Sequence, residues 1–99
     1  MKIDKIKKEL KNRNIKFTDF GNNYIEFTGK ITNSDGINFS VEGSLELLNE
    51  NEFVYSVYFT DLNSKKEYDA EIGNFINLTE ENLSKTIDYI FNCDFVELA

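Results

Sequence analysis

Two segments of the chain repeat apolar residues three or four positions apart, which is the spacing of an amphipathic α-helix. The first predicts a helix over about residues 3–13, with lysines on much of its remaining surface, and the second predicts a helix over about residues 80–92. Thr79 is placed to cap the second helix, because a threonine hydroxyl accepts hydrogen bonds from the first turn. The apolar positions are Ile3, Ile6 and Leu10 in the first segment and Leu83, Ile87, Ile90 and Phe91 in the second.

Between these segments, apolar and polar residues alternate with the period of two that is typical of a half-buried β-strand. The clearest turn is Asp35-Gly36, because glycine adopts positive φ without steric cost and this pair commonly joins antiparallel strands. In the second, third and fourth strands the odd-numbered residues are predicted to face inward. The predicted strands cover about residues 15–17, 24–32, 37–47, 53–60 and 66–72.

The order of these elements predicts one α+β domain over residues 1–99. It consists of an N-terminal helix, a four- to five-stranded antiparallel meander and a C-terminal helix, with both helices on one face of the sheet. The opposite sheet face is predicted to be polar and open to water.

Acidic side chains concentrate on that open face. In the fifth strand, alternation places Tyr68, Ala70 and Ile72 inward, and Gly73-Asn74 is predicted to end the sheet. Side chains two apart on a strand are roughly 6.6 Å apart and neighbouring strands roughly 4.8 Å apart, so the acids form a fixed array. The acidic residues predicted on the open face are Glu26, Glu42, Glu46, Glu67, Asp69 and Glu71.

The charge of the chain supports two interpretations of this array. The 99 residues carry a formal net charge of −7, but the charge is uneven. Residues 1–16 hold seven bases and two acids, for a net of +5, whereas residues 17–99 hold four bases and sixteen acids, for a net of −12. One interpretation is internal charge complementation and solubility. The other is an acidic face directed at a basic partner, with Tyr58 as a contact residue or simply as a partly covered strand residue.

The residues needed for most catalytic and metal chemistry are missing. The sequence has no His, so imidazole cannot serve as a general base or a metal ligand. Its one cysteine, Cys93, cannot form a disulfide within the chain and is predicted to be a buried small hydrophobe. The glycines are isolated and form no phosphate-binding loop. We therefore expect no enzyme activity, no catalytic residue, no metal and no cofactor.

The same sequence favours the cytoplasm of a bacterial host. The first residues are charged throughout and lack the apolar core of a secretory signal, and no apolar run approaches the ~18 residues of a membrane span. Direct nucleic-acid binding is not expected, because the strongly acidic body would repel phosphates. The composition, rich in Asn, Lys and Ile, follows from AT-rich codons and is typical of a low-GC bacterium, its phages or its mobile elements.

The opening Met1-Lys2-Ile3-Asp4-Lys5-Ile6-Lys7-Lys8-Glu9-Leu10-Lys11-Asn12, together with the length, the acidity and the order of elements, resembles small acidic anti-CRISPR inhibitors from phages of low-GC bacteria. The resemblance implies a protein that covers the DNA-reading groove of an RNA-guided nuclease with acidic side chains. The longer meander and the single C-terminal helix depart from that pattern. The alternatives are an immunity protein for a nuclease toxin and a self-assembling structural protein.

Overall fold

Helix α1 (Ile3–Asn12) opens the described part of the chain, which comprises residues 3–68 and 71–93 of a computed structural model. Ile6 and Leu10 are fully buried, as the apolar stripe predicts. The helix ends in a Schellman motif: Asn14 takes a φ of 58°, and the Ile15 N–H donates to the Leu10 carbonyl at 3.0 Å. The positive φ of Asn14 therefore ends the helix close to the predicted residue 13.

Five strands form one antiparallel sheet in which every strand pairs with its neighbours in sequence. Gly36 has a φ of 80° in the turn between the second and third strands, as the Asp-Gly signal predicts. The predicted α+β fold with an N-terminal helix, a five-stranded meander and a C-terminal helix is confirmed. The strands are β1 (Lys16–Asp19), β2 (Tyr24–Thr32), β3 (Asn38–Asn49), β4 (Glu52–Asp61) and β5 (Glu71–Phe75).

The odd-numbered side chains of β2, β3 and β4 form the core together with both helices, so the predicted inward parity is confirmed for these strands. The helices cover this single face of the sheet, and Cys93 is buried in the same core. We call the other surface of the sheet, built mainly from the even-numbered residues of β2 to β4, the open face. The buried strand residues are Ile25, Phe27, Phe39, Val41, Leu45, Leu47, Phe53, Tyr55, Val57 and Phe59.

Helix α2 (Leu83–Phe91) begins three residues later than predicted. The Asn82 N–H donates to Thr79 Oγ1 at 3.2 Å, and the Thr79 N–H donates to Asn82 Oδ1 at 2.8 Å. This reciprocal pair has the form of a capping box, but it closes a separate turn over residues 80–82. Thr79 therefore caps that turn, and helical bonding follows when the Thr86 N–H donates to the Asn82 carbonyl at 3.0 Å.

Arg13 ties the two helices together behind the sheet. Its guanidinium pairs with Glu9 of α1 at 2.6 Å and with Asp88 of α2 at 2.7 Å. The same group donates to the carbonyl and the hydroxyl of Ser84, both at 3.0 Å. Because one planar group satisfies acceptors on both elements, Arg13 fixes how α1 and α2 lie against each other.

Gly43 marks a close approach between β3 and β4. A Cβ atom at this position would lie 2.0 Å from the Ser56 carbonyl oxygen and 2.8 Å from the Phe27 ring. Only glycine leaves room for both neighbours. This contact holds the middle of the sheet, where the open face carries its acidic residues.

The predicted course of the fifth strand is wrong. The strand runs over Glu71–Phe75 and passes through Gly73 and Asn74, which do not break the sheet. The ring of Tyr55 covers Gly73, and Phe75 stacks on Tyr55 with ring centroids 5.4 Å apart. Burial of Phe75 on the inner face sets the register of β5, because an aromatic ring gains more from burial than an asparagine does.

A change of face accompanies this shift. Glu67 lies opposite Thr60 in an isolated bridge, whereas Glu71 lies opposite Val57. From Glu67 to Glu71 the chain advances four residues, whereas β4 advances three residues between the two partners, Val57 and Thr60. Because side chains alternate between the two faces, this extra residue places Glu71 on the face opposite to that of Glu67. As a result Ile72 is 79% exposed on the open face, although it was predicted to point inward.

Candidate functional site

Three of the predicted acidic residues lie together in the middle of the open face. Glu42 and Glu46 flank Ser44 on β3, and Glu26 lies directly opposite Ser44 on β2. We call Glu26, Glu42 and Glu46 the acidic triangle. Glu42 and Glu46 are about 13 Å apart along the strand, and Glu26 is a diagonal neighbour of both, at about 7–8 Å between Cα atoms. The three carboxylates therefore form a zigzag that follows the strand direction.

Two tyrosines hold two of these carboxylates. Tyr58 lies opposite Glu42 on β4 and donates its hydroxyl to that side chain. The hydroxyl of Tyr24 donates to Glu26 Oε2 at 3.2 Å. The hydrogen bond to Glu42 is the main cause that raises the pKa of Tyr58, so the phenol stays protonated and remains a donor. Each bond limits the rotation of a glutamate side chain, which lowers the entropy lost when a partner binds.

Two members of the acidic triangle, Glu26 and Glu42, line a shallow depression of about 550 Å³. Ser44 and Gly43 line it as well. Aromatic and acidic groups therefore surround a low region of the sheet in which a partner side chain has room. The open-face side chains that line it are Thr18, Tyr24, Glu26, Thr28, Glu42, Ser44 and Tyr58.

The other predicted acidic residues lie outside the acidic triangle. Glu67 is exposed opposite Thr60, diagonal to Tyr58, and after the hydrogen bond to Glu42 and burial its charge also raises the pKa of Tyr58. Asp69 lies outside the described residues. Glu71 was predicted on the open face, but it is half-buried on the helix-covered face, where the Tyr55 hydroxyl donates to its Oε1 at 3.2 Å. The predicted array of six acids is therefore smaller and more central than expected.

Further charged residues lie on the open face beside those predicted for the site. Glu52, one residue before the predicted fourth strand, opens β4 and accepts hydrogen bonds from the side chains of Asn49 and Asn74 at 3.2 and 2.9 Å. Two bases, Lys16 and Lys30, are exposed toward one end of the face. The even numbers of Lys16 and Lys30 in β1 and β2 are enough to predict that both lie on the open face. The position of Glu52 could not be predicted in this way, because it depends on where β4 begins.

The carboxylates of the open face are spread out instead of converging. Within residues 3–68 and 71–93, no group of three acidic or cysteine side chains is close enough to hold a metal ion. A spread array suits an extended surface more than a point ligand. The same residues contain no helix that is long and apolar enough to cross a bilayer.

A second hollow, of about 960 Å³, lies at the end of the sheet between the β2–β3 and β4–β5 connections. Asp61 lines it and is buried, with Oδ1 accepting the N–H groups of Asn63 and Ser64 at 2.8 and 3.2 Å. The hydrogen bond from the Asn63 N–H is the main cause that lowers the pKa of Asp61. Asp61 thus organises the loop that follows β4.

Fold and site together define an α+β protein with one helix-covered sheet face and one open acidic face. No protein-family model, no curated protein and no solved structure matches the chain. Function is therefore argued from the open face.

Proposed function

We propose that this protein is a non-catalytic inhibitor that binds a basic, nucleic-acid-handling protein through its open face and occludes the nucleic-acid site. It would be encoded by a phage or mobile element and act in the manner of an anti-CRISPR protein, by imitating DNA. The observation that carries the proposal is the acidic triangle, which is fixed on two central strands and held by two tyrosines.

The spacing of the triangle supports imitation of a phosphate backbone. The zigzag of Glu42, Glu26 and Glu46 places one carboxylate about every 6.6 Å along the strand direction. DNA presents one phosphate about every 3.4 Å of axis on each strand, so the carboxylate spacing is about twice this axial rise and similar in scale to a phosphate backbone. A groove lined with Arg or Lys for DNA can therefore pair with the same zigzag.

Electrostatics supports docking at this face more than at the helix-covered side. The helix-covered side carries α1, whose lysines would repel a basic groove. The open face presents Glu26, Glu42, Glu46 and Glu52 over its central strands, with the opposing lysines toward one end. Complementary charge steers encounter and raises the association rate, and the effect falls as salt increases.

Contacts with the rings would supply affinity beyond charge. Tyr24 and Tyr58 are half-buried, so each ring already lies against the sheet and loses little freedom on binding. Their faces can receive arginine side chains of the partner. Val54, opposite Glu46, and Ile72 extend the contact surface toward β5 with apolar side chains.

Capture of the partner from host lysate tests this proposal. The tagged protein is compared with the Glu26→Lys/Glu46→Lys variant, and with a Glu80→Lys/Glu81→Lys variant that makes the same change in net charge beside α2. We expect one basic nucleic-acid-binding protein to be retained by the wild type and by the control, and to be lost from the open-face variant. Reversal of these two diagonally placed carboxylates should raise Kd at least about a hundredfold, since like-charge contacts with a basic partner cost several kcal/mol.

A competition assay then distinguishes occlusion from binding elsewhere. Double-stranded DNA should displace the inhibitor from the captured protein, and the inhibitor should abolish its DNA binding in a mobility-shift assay. A captured partner that binds DNA and this protein at the same time, or that binds both charge variants equally, would contradict the proposal.

A further inference from the structure

The basic and acidic parts of this molecule lie on opposite sides of the same sheet. Helix α1 packs on the helix-covered face through Ile6 and Leu10, while the acidic triangle lies on the open face. The N-terminal helix therefore cannot reach its own acidic face. The ion pairs that α1 and the turn after it form are those of Lys7 with Asp4 and Asp19 and of Arg13 with Glu9 and Asp88, among the described residues.

The outer surface of α1 keeps a row of exposed bases. Lys5, Lys8 and Lys11 are exposed and three residues apart, and the Lys11 ammonium lies 5.8 Å from the centroid of the Phe17 ring at the edge of this row. Neither Lys5 nor Lys8 forms an ion pair with another residue of the described chain. The row also contains the exposed Asp4, which is 3.8 Å from Lys7. The net charge of this surface is positive.

The two surfaces match in length. The three lysines span about 9 Å along the helix, at a rise of about 1.5 Å per residue. The acidic triangle spans about 13 Å along β3. A lysine side chain has four methylene groups, so a displacement of about 2 Å at each end of the row is within its reach. Three bases on one copy can therefore meet three carboxylates on another copy when α1 lies along β3.

We propose that this protein associates with itself head to tail, with the outer surface of α1 of one copy docked on the acidic triangle of the next. The contact is heterologous, because it joins two different patches, and a pair of copies retains one unused patch of each kind. This inference goes beyond the proposed inhibitor function and does not depend on it. The lysine row occupies the surface proposed for the partner, so self-association and partner binding would compete.

The overall charge does not prevent this contact. Two copies at −7 each repel, but at physiological salt the Debye length is about 8 Å, which screens charges on distant parts of the two molecules. Charges in direct contact at about 4 Å are screened less. A helix of ten residues covers a small area, so the contact should be weak, with a Kd on the order of 100 μM.

Sedimentation equilibrium at protein concentrations up to about ten times that Kd tests the inference. We expect the average mass to exceed the monomer mass of 11.5 kDa at about 0.1 M salt and to approach it at about 1 M salt, where the Debye length falls from about 10 to about 3 Å. The variants Lys5→Glu/Lys8→Glu and Glu26→Lys/Glu46→Lys should each raise Kd about tenfold or more. A Lys85→Glu control on α2 should associate like the wild type.

Mixing the two double variants separates a head-to-tail contact from other modes. One variant keeps the acidic triangle and the other keeps the lysine row, and the two reversed patches are again opposite in charge. An equimolar mixture should therefore associate, whereas either variant alone stays monomeric and shows wild-type thermal unfolding. A monomeric wild type at 0.1 M salt, a mixture that stays monomeric, or association that persists at 1 M salt in both variants would overturn the inference. The last result would instead assign self-association to the β5 edge with its exposed Ile72.

Discussion

Replacement of Gly43 by alanine is expected to damage the fold more than any other single added methyl group in the sheet. The new Cβ would lie 2.0 Å from the carbonyl oxygen of Ser56 and 2.8 Å from the ring of Phe27, whereas ordinary contacts begin near 3.4 Å. The first neighbour is backbone, so no rotamer change relieves the clash, and β3 and β4 must separate by more than about 1 Å. Gly43 pairs with Phe27 and Val57, and the displacement reaches both sides of β3.

The magnitude follows from two losses. Overpacking in a dense region costs about 1–3 kcal/mol, and loosened ladder hydrogen bonds add about 1 kcal/mol each. We expect Gly43→Ala to lower the free energy of unfolding by about 3–5 kcal/mol, a large share of the roughly 5–15 kcal/mol of a small domain. At about 4–8 °C per kcal/mol, Tm should fall by at least about 12 °C.

Gly29→Ala is the matched control, because the same methyl group meets a movable neighbour there. Its Cβ would lie 2.6 Å from Ile15 Cδ1, the far end of a flexible side chain, and the next atom is the Ile15 Cα at 3.5 Å. Thermal unfolding by circular dichroism and urea titration should show a loss near 1 kcal/mol or less for this variant. Equal losses at Gly43 and Gly29, or a Tm of Gly43→Ala within a few degrees of wild type, would refute the reasoning.

Three further predictions concern single side chains. Arg13→Met should lower the free energy of unfolding by about 1–3 kcal/mol in urea titration, because charged hydrogen bonds to both helices are lost, whereas Lys8→Met on the exposed surface should change it by less than about 0.5 kcal/mol. Burial, and then the charge of Glu71, raise the pKa of Tyr55 to about 12, so the folded state keeps this proton longer than the unfolded state does. Stability should therefore be complete below about pH 10 and fall as pH rises toward about 12, with a smaller fall in Tyr55→Phe, as urea titration across that range would show. Tyr58→Phe should leave stability within about 0.5 kcal/mol and weaken capture of the partner, and an unchanged partner affinity would count against a role for this hydroxyl.

The sequence by itself was sufficient for the elements whose signals are local. Apolar spacing located α1, and Asn14 supplied the positive φ that ends it. Alternation located β2, β3 and β4 and predicted correctly which of their residues face inward. Each of these strands buries its apolar side chains on one face, and a shift of one residue would turn those side chains to solvent. The acidic triangle was predictable for the same reason, since its three residues lie on strands with regular alternation.

Tertiary structure alone decided the last strand and the extent of the site. Nothing local shows that Tyr55 fills the space over Gly73, or that one extra residue step separates Glu67 from Glu71. That step turned Glu71 toward the core and Ile72 toward solvent, because strand side chains alternate and a shift of one residue exchanges the faces. The tyrosine–glutamate pairs likewise depend on which residues lie across the sheet, and this is set by packing between elements that are distant in sequence.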